Sequence, residues 1–195
     1  ADEILAVTFT NKAAREMEGR ILKLLKEVGS PVYGRMWIST FHSICARILR
    51  ENIHLLDYKP FFGIYDSSDQ VSMLKKVLVA LNIDDKTHPA KGFAARINQA
   101  KTDALSPAEV KQRRNYMDDR GVQVYEKYEE EKNKSKLRDY DDLIVELLVG
   151  LRNDTLFLRL IQERFQYILV DEHQDTNDSQ NFIVGLIAEF FETPN

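Results

Sequence analysis

The chain has 195 residues, 44% of them apolar and 30% charged, with a formal net charge of −4. This is the composition of a soluble globular protein of one domain or two small ones. It excludes a surface that clamps nucleic acid everywhere, which would be basic, and no apolar run approaches the roughly 20 residues of a membrane span. A single cysteine, Cys45, excludes an internal disulfide and fits a reducing compartment.

Ile4 to Thr8 reads as a short buried strand. Thr10 or Asn11 then caps a helix whose apolar positions run from Ala13 and Ala14 through Met17, Ile21, Leu24 and Leu25 to Val28, and Gly29-Ser30-Pro31 stops it. Met36 to Thr40 is a second strand. The helix after it carries Phe41, Ile44, Cys45 and Ile48 on one face, so Cys45 reads as a buried structural thiol. Two strand-turn-helix units in tandem predict a parallel α/β sheet. A third short strand is expected at 61–65. From Ser67 to about Leu137 only helical periods occur: Ser67-x-x-Gln70 is a capping box, Pro89 and Pro107 punctuate two helices, and Gly121 separates a last one. That helix ends in the charge run Glu129-Glu130-Glu131-Lys132-Asn133-Lys134, read as a solvated face. Helical periods return at Asp141–Leu151 and Leu156–Ile161, before a strand that ends at Asp171. An all-helical segment of about 75 residues is thus inserted into an α/β domain.

Three segments carry chemistry. Phe165-Gln166-Tyr167-Ile168-Leu169-Val170 delivers the adjacent carboxylates Asp171 and Glu172 to a strand's C-terminal end, where ligands of open α/β sheets bind. A first Asp there can hold Mg²⁺ that bridges phosphate oxygens, and an adjacent Glu can orient or deprotonate the attacking water. An acidic turn that merely caps the next helix would look the same. The crowd of polar groups that follows (Gln174, Asp175, Thr176, Asn177 and Gln180) exceeds what one cap needs.

Thr8-Phe9-Thr10-Asn11-Lys12 ends the first strand on the same edge, where an aromatic among hydroxyls, an amide and a lysine can stack a base and hold a phosphate. A helix N-terminus beside it adds backbone N–H groups for an anion. A helix cap with Phe9 in the core is the other open reading. Ser39-Thr40-Phe41-His42-Ser43 repeats the arrangement after the second strand. The acidic cluster Asp139-Tyr140-Asp141-Asp142 is read as the first turn of a helix, which favours negative charge. The four histidines (His42, His54, His88, His173) have no metal-ligand spacing, and no Gly-x-x-x-x-Gly-Lys-Ser/Thr loop occurs. The carboxylates alone would be half of an ATP site.

In this order the segments resemble the UvrD/PcrA/Rep family of superfamily 1 DNA helicases. Leu5 to Met17 resembles the family's motif Ia, Ile38 to Ser43 motif Ib, and Val170-Asp171-Glu172-His173-Gln174-Asp175-Thr176-Asn177 motif II. Asp139-Tyr140-Asp141-Asp142-Leu143-Ile144 matches a signature that precedes motif II. The resemblance implies that residues 1–58 and 139–195 form a RecA-like P-loop NTPase sheet, incomplete here (subdomain 1A), with 59–138 as an inserted all-helical subdomain, 1B. It implies ATP and Mg²⁺ as cofactors. Asp171 would take part in Mg²⁺ coordination, Glu172 would activate water, and Gln174 and Asp175 would link the ATP site to the DNA track. Thr8, Phe9, Thr10, Asn11, Lys12, Thr40, Phe41 and His42 would line the path of single-stranded DNA.

The implied function is a 3′–5′ helicase acting on single strands and on single/double-strand junctions, in repair or replication, with no membrane partner and a cytoplasmic, nucleoid-associated location. His173 departs from the Tyr or Phe usual at its position. Motif I is expected before Ala1 and motifs III to VI after Asn195. The chain is accordingly expected to be a fragment that does not turn over ATP by itself. Two other parents stay open: the motor of a RecB/AddA-type helicase-nuclease, and a nucleic-acid-binding or protein-interaction module whose ATPase has decayed.

Overall fold

The structure is a computed structural model, and it describes residues 2–30, 34, 36–52, 54, 63–113 and 116–189. Pro31, the first two residues of the strand expected at 61–65, and residues 190–195 lie outside these. The chain divides into two compact units, Ala1–Tyr58 with Glu146–Asn195, and Lys59–Val145.

Among the described residues, unit 1 is built on three parallel strands, β1 (Ile4–Thr8), β2 (Trp37–Thr40) and β5 (Tyr167–Val170), in the order β2-β1-β5. Parallel neighbours need a crossover, and helix α1 (Asn11–Glu27) supplies it between β1 and β2. Thr10 caps α1, its hydroxyl accepting from the Ala13 N–H at 3.1 Å. Gly29 ends it in the left-handed region at φ 67°, where the Ser30 and Gly29 N–H groups donate to the carbonyls of Leu25 (2.9 Å) and Lys26 (3.2 Å). Helix α2 (Phe41–Glu51) buries Phe41, Ile44, Cys45, Ile48 and Leu49, and burial pushes the Cys45 thiol up to about 12.

Register fixes which side chains share a sheet face. Leu5 lies opposite Trp37 and Ile168, and Ala6 opposite Ile38 and Leu169. The Leu5–Trp37 row is closed over: Trp37 is 1% exposed, packed edge-to-face on Phe165 with ring centroids 4.9 Å apart. The Arg47 and Arg164 guanidiniums lie over the Trp37 ring at 3.6 and 4.5 Å. Both also donate to the Glu51 carboxylate, at 2.8 and 2.9 Å. The opposite face stays open along β5, where Tyr167 and Leu169 are exposed, as is Ile4 beside them. Helix α1 differs from its sequence pattern in the same way: only Ala14 is buried, while Leu24 and Val28 reach solvent.

Unit 2 packs α3 (Ser67–Ala80), α4 (Ala90–Thr102), α5 (Pro107–Gln112) and α6 (Asp119–Lys134) around Leu74, Leu78, Ile97, Val110, Val124 and Tyr128. It is not purely helical: β3 (Gly63–Ile64) and β4 (Leu137–Arg138) pair in parallel. Helix α7 (Tyr140–Asn153) contains the division between the units, and α8 (Thr155–Arg164) and α9 (Asp178–Ala188) complete unit 1. Gln162 ties the last two together by donating to the Leu186 carbonyl at 2.7 Å.

Three local expectations need correction. The capping box of α3 sits one residue earlier, on Asp66 and Asp69, because the Asp66 carboxylate takes the N–H groups of both Ser68 (2.8 Å) and Asp69 (3.0 Å). Gln70 is buried instead and bonds Asn98. Gly121 does not separate helices; it lies inside α6, where a Cβ would run into the Met117 side chain. The charge run of α6 is not wholly solvated, since Lys132 is 1% exposed.

Candidate active site

The strand order brings three chain segments to one edge. Thr8 and Thr40 are in register at the C-terminal ends of β1 and β2, and Val7 is in register with Val170. The ladder continues one step past β5, because the Asp171 N–H donates to the Val7 carbonyl at 2.9 Å. Asp171 therefore sits beside the turn that follows β1, held by backbone rather than by its own side chain.

The chain then reverses sharply. Glu172 adopts φ 49°, ψ 46°, a left-handed conformation that costs a non-glycine residue about 1–2 kcal/mol. A 3₁₀ turn, His173–Asp175, follows, closed by the Asp175 N–H on the Glu172 carbonyl at 2.9 Å. Such outliers persist only where the surroundings over-determine them. Here the Thr176 hydroxyl donates to the His173 carbonyl (2.6 Å) and meets the Asn181 side-chain amide on α9. Asn177 caps α9 in a box with Gln180, their reciprocal bonds measuring 2.9 and 3.2 Å.

Part of the polar crowd after Glu172 is thus internal carpentry. Thr176, Asn177 and Gln180 hold the turn, and the Gln174 amide donates to the Glu172 carboxylate. Asp171, Glu172, Gln174 and Asp175 are all exposed. His173 is exposed too, so a change of ring at that position disturbs no core.

Across the edge, Phe9 is 37% exposed and lies over Phe41, which is 4% exposed, with centroids 5.9 Å apart and planes tilted by 58°. Phe9 is therefore outside the core and partly open to solvent, with the buried Phe41 ring packed against it. Thr8 is fully buried and spends its hydroxyl on the Thr10 carbonyl at 3.1 Å. Thr40 caps α2, accepting from the Ser43 N–H at 3.4 Å. Asn11 and Lys12 are exposed in the first turn of α1, with Lys12 reaching Glu16 only at 3.9 Å. Burial lowers the pKa of His42, which keeps its imidazole neutral at pH 7.

The donor set at the carboxyl edge suits Mg²⁺, which favours oxygen and is usually held by one or two carboxylates plus substrate phosphates. Two exposed carboxylates on a backbone-pinned turn meet that description. Among the described residues no three His, Cys, Asp or Glu side chains gather into a cage of their own.

Asp139 and Asp142 are placed quite differently. They cap α7 reciprocally, as an acidic first turn should, the Asp142 and Asp139 N–H groups donating to each other's carboxylates at 2.9 and 2.8 Å. They also bind the buried ammonium groups of Lys101 and Lys132, partners that the linear sequence does not announce. Among the described residues no helix is long and apolar enough to cross a membrane.

The sequence profile of the UvrD/REP helicase N-terminal domain matches residues 1–192. The chain is 40% identical over 190 residues to the ATP-dependent DNA helicase PcrA of Bacillus subtilis (strain 168), covering 97% of this chain and 25% of that protein. It is 38% identical to the PcrA of Staphylococcus aureus (strain Mu50) over 97% of this chain and 26% of the relative. The PcrA of Leuconostoc citreum is 39% identical, across 95% of this chain and 25% of its own length. The chain thus spans about a quarter of the length of these relatives. With its motifs in order and its carboxylates at the end of a parallel strand, the chain belongs to the UvrD/REP helicase N-terminal domain family.

Proposed function

We propose that the chain is part of an ATP-dependent DNA helicase that translocates 3′ to 5′ on single-stranded DNA and separates duplex at single/double-strand junctions, in repair or replication. Residues 1–58 and 139–195 act as an incomplete RecA-like subdomain 1A and residues 59–138 as the inserted subdomain 1B. The observation that carries this reading is the convergence of Thr8, Thr40 and Asp171 on one sheet edge, which sets a nucleotide-type carboxylate pair beside an exposed aromatic.

Asp171 would hold Mg²⁺, which when bound neutralises charge on the phosphate oxygens of ATP. Glu172, at the left-handed turn that follows β5, accepts a proton from the attacking water. Gln174, already bonded to that carboxylate, and Asp175 link its position to the strand track. On that track Phe9 stacks a base, supported by Phe41. Thr10, Asn11 and Lys12 meet the backbone with the N-terminus of α1, while Thr8, Thr40 and His42 shape the floor. The 195 residues contain no phosphate-cradling Gly-x-x-x-x-Gly-Lys-Ser/Thr loop. Other parts of the whole protein would supply that loop, the completing arginines and the second motor domain.

The test is ATP hydrolysis by the full-length protein, with and without single-stranded DNA, beside its Phe9→Ala variant. DNA-stimulated turnover is expected. Phe9→Ala should weaken strand binding by about 1–3 kcal/mol, the stacking contribution of one base. An ATPase indifferent to DNA, or unchanged binding in the variant, would remove the track from this edge.

A further inference from the structure

The chain runs into the helices of unit 2 through β3 and out through β4. The two strands share very little backbone: the Gly63 N–H donates to the Lys136 carbonyl and the Tyr65 N–H to the Arg138 carbonyl, both at 3.1 Å. So short a ladder is weak, yet it must close the long loop between Ile64 and Leu137 against the entropy of that loop.

Directly beyond both strands lies a buried polar cluster. Lys101 on α4 is 3% exposed and Lys132 on α6 is 1% exposed. The Lys101 ammonium has three donors and three carboxylate partners: Asp139 at 2.5 Å, Asp142 at 2.7 Å and Glu129 at 3.1 Å. Lys132 takes Asp142 and Glu129, each at 2.6 Å. From the incoming side the Tyr65 hydroxyl meets the Tyr128 hydroxyl, which in turn donates to Asp139 on the outgoing side at 2.7 Å. Each oxygen of Asp139 and Asp142 accepts at least one bond, two of them from the backbone N–H groups that start α7.

An apolar plug of the same volume would stabilise unit 2 as well or better, because ionic burial forfeits hydration. What a plug cannot do is demand particular partners. The ammonium groups accept only an arrangement in which Asp139 and Asp142 reach them, which places the residues after β4 against those after β3. We propose that this cluster is a clasp, locking the incoming and outgoing strands of unit 2 in register so that the unit opens only as a whole.

The clasp stands independently of the proposed catalysis, and its failure would leave that reading untouched. Amide hydrogen exchange on the full-length protein tests it, comparing Gly63 and Tyr65 with Leu78 in the core of α3. In the unaltered protein all three should exchange together, through opening of the whole unit. Asp142→Asn should raise exchange at Gly63 and Tyr65 at least ten-fold more than at Leu78. Tyr128→Phe removes only the hydroxyl bridge and leaves no bare charge, so it carries the test should Asp142→Asn fail to fold. It should give the same local pattern at smaller amplitude. Exchange that rises equally at all three amides in Tyr128→Phe, or at none, would overturn the clasp.

Discussion

Two acidic pairs in this chain are close in sequence character and opposite in surroundings. Asp171 and Glu172 stand exposed at the end of a strand, positioned by backbone hydrogen bonds, with an amide from Gln174 as side-chain company. Asp139 and Asp142 are buried, their oxygens occupied by two lysines, a tyrosine and the backbone. A carboxylate free to take a ligand must keep its lone pairs open, whereas one that holds a fold must use them. The contrast separates a pair suited to chemistry from a pair suited to architecture, although both lie at helix starts.

The largest effect should come from uncovering a buried charge. Asp142→Asn should destabilise unit 2 by about 3–5 kcal/mol, read from the denaturant midpoint. Glu172→Gln, at an exposed position, should move the midpoint by no more than about 0.5 kcal/mol. Equal effects would erase the distinction.

Next in size is the response to acid. Burial would raise the pKa of Asp139, but the charges of Lys101 and Lys132 outweigh it and hold the carboxyl at about 2, below its ordinary 3.8. Its contribution is present above pH 4 and is lost as pH falls toward 2, by about 2 kcal/mol. Asp141 has the opposite sign: burial first, and then the charge of Asp139, raise it to about 6. Its contribution is full below about pH 4 and is lost as pH rises through 6. Stability of unit 2 should therefore fall on both sides of about pH 4. Burial shifts Asp142 in the same direction, so Asp141→Asn should reduce the decline on the upper side without abolishing it and leave the acid side alone, as thermal melts across that range would record.

A smaller effect probes the turn at the exposed pair. Glu172→Gly should relieve the left-handed backbone, and with glycine's own entropic cost deducted should stabilise unit 1 by about 1 kcal/mol. The same variant should abolish water activation. A gain in stability with loss of turnover would mark Glu172 as strained for function. The smallest effect is expected at Lys127, whose ion pairs with Glu130 and Glu131 lie on the solvated side of α6. Lys127→Ala should leave the midpoint unchanged.

Local signals carried far in this chain. Strand-turn-helix punctuation located β1, α1, β2 and α2, because Thr10, Thr40 and Gly29 are each the residue their position requires. The apolar run before Asp171 located β5, and parallel order followed from the intervening helices. Partners distant in sequence were not legible. Lys101 and Lys132 look like ordinary surface lysines, and only folding reveals that they meet Asp139 and Asp142. Nor could the linear sequence show that Phe41 is roofed by Phe9, whereas the Asn177–Gln180 box is a local pattern of the kind read at Ser67 and was legible but not drawn. The misplaced cap of α3 has a simpler cause: Asp66 and Ser67 are adjacent N-cap candidates, and the carboxylate is the stronger acceptor.

The most direct measurement is ATP turnover in the presence of single-stranded DNA, with the unfolding midpoint taken on the same sample, for the full-length protein and its Glu172→Gln variant. The account predicts turnover lost by two orders of magnitude or more, the usual scale of general-base catalysis, at an unchanged midpoint. Retained turnover, or turnover lost only together with the midpoint, would contradict the assignment of the exposed pair as the working site.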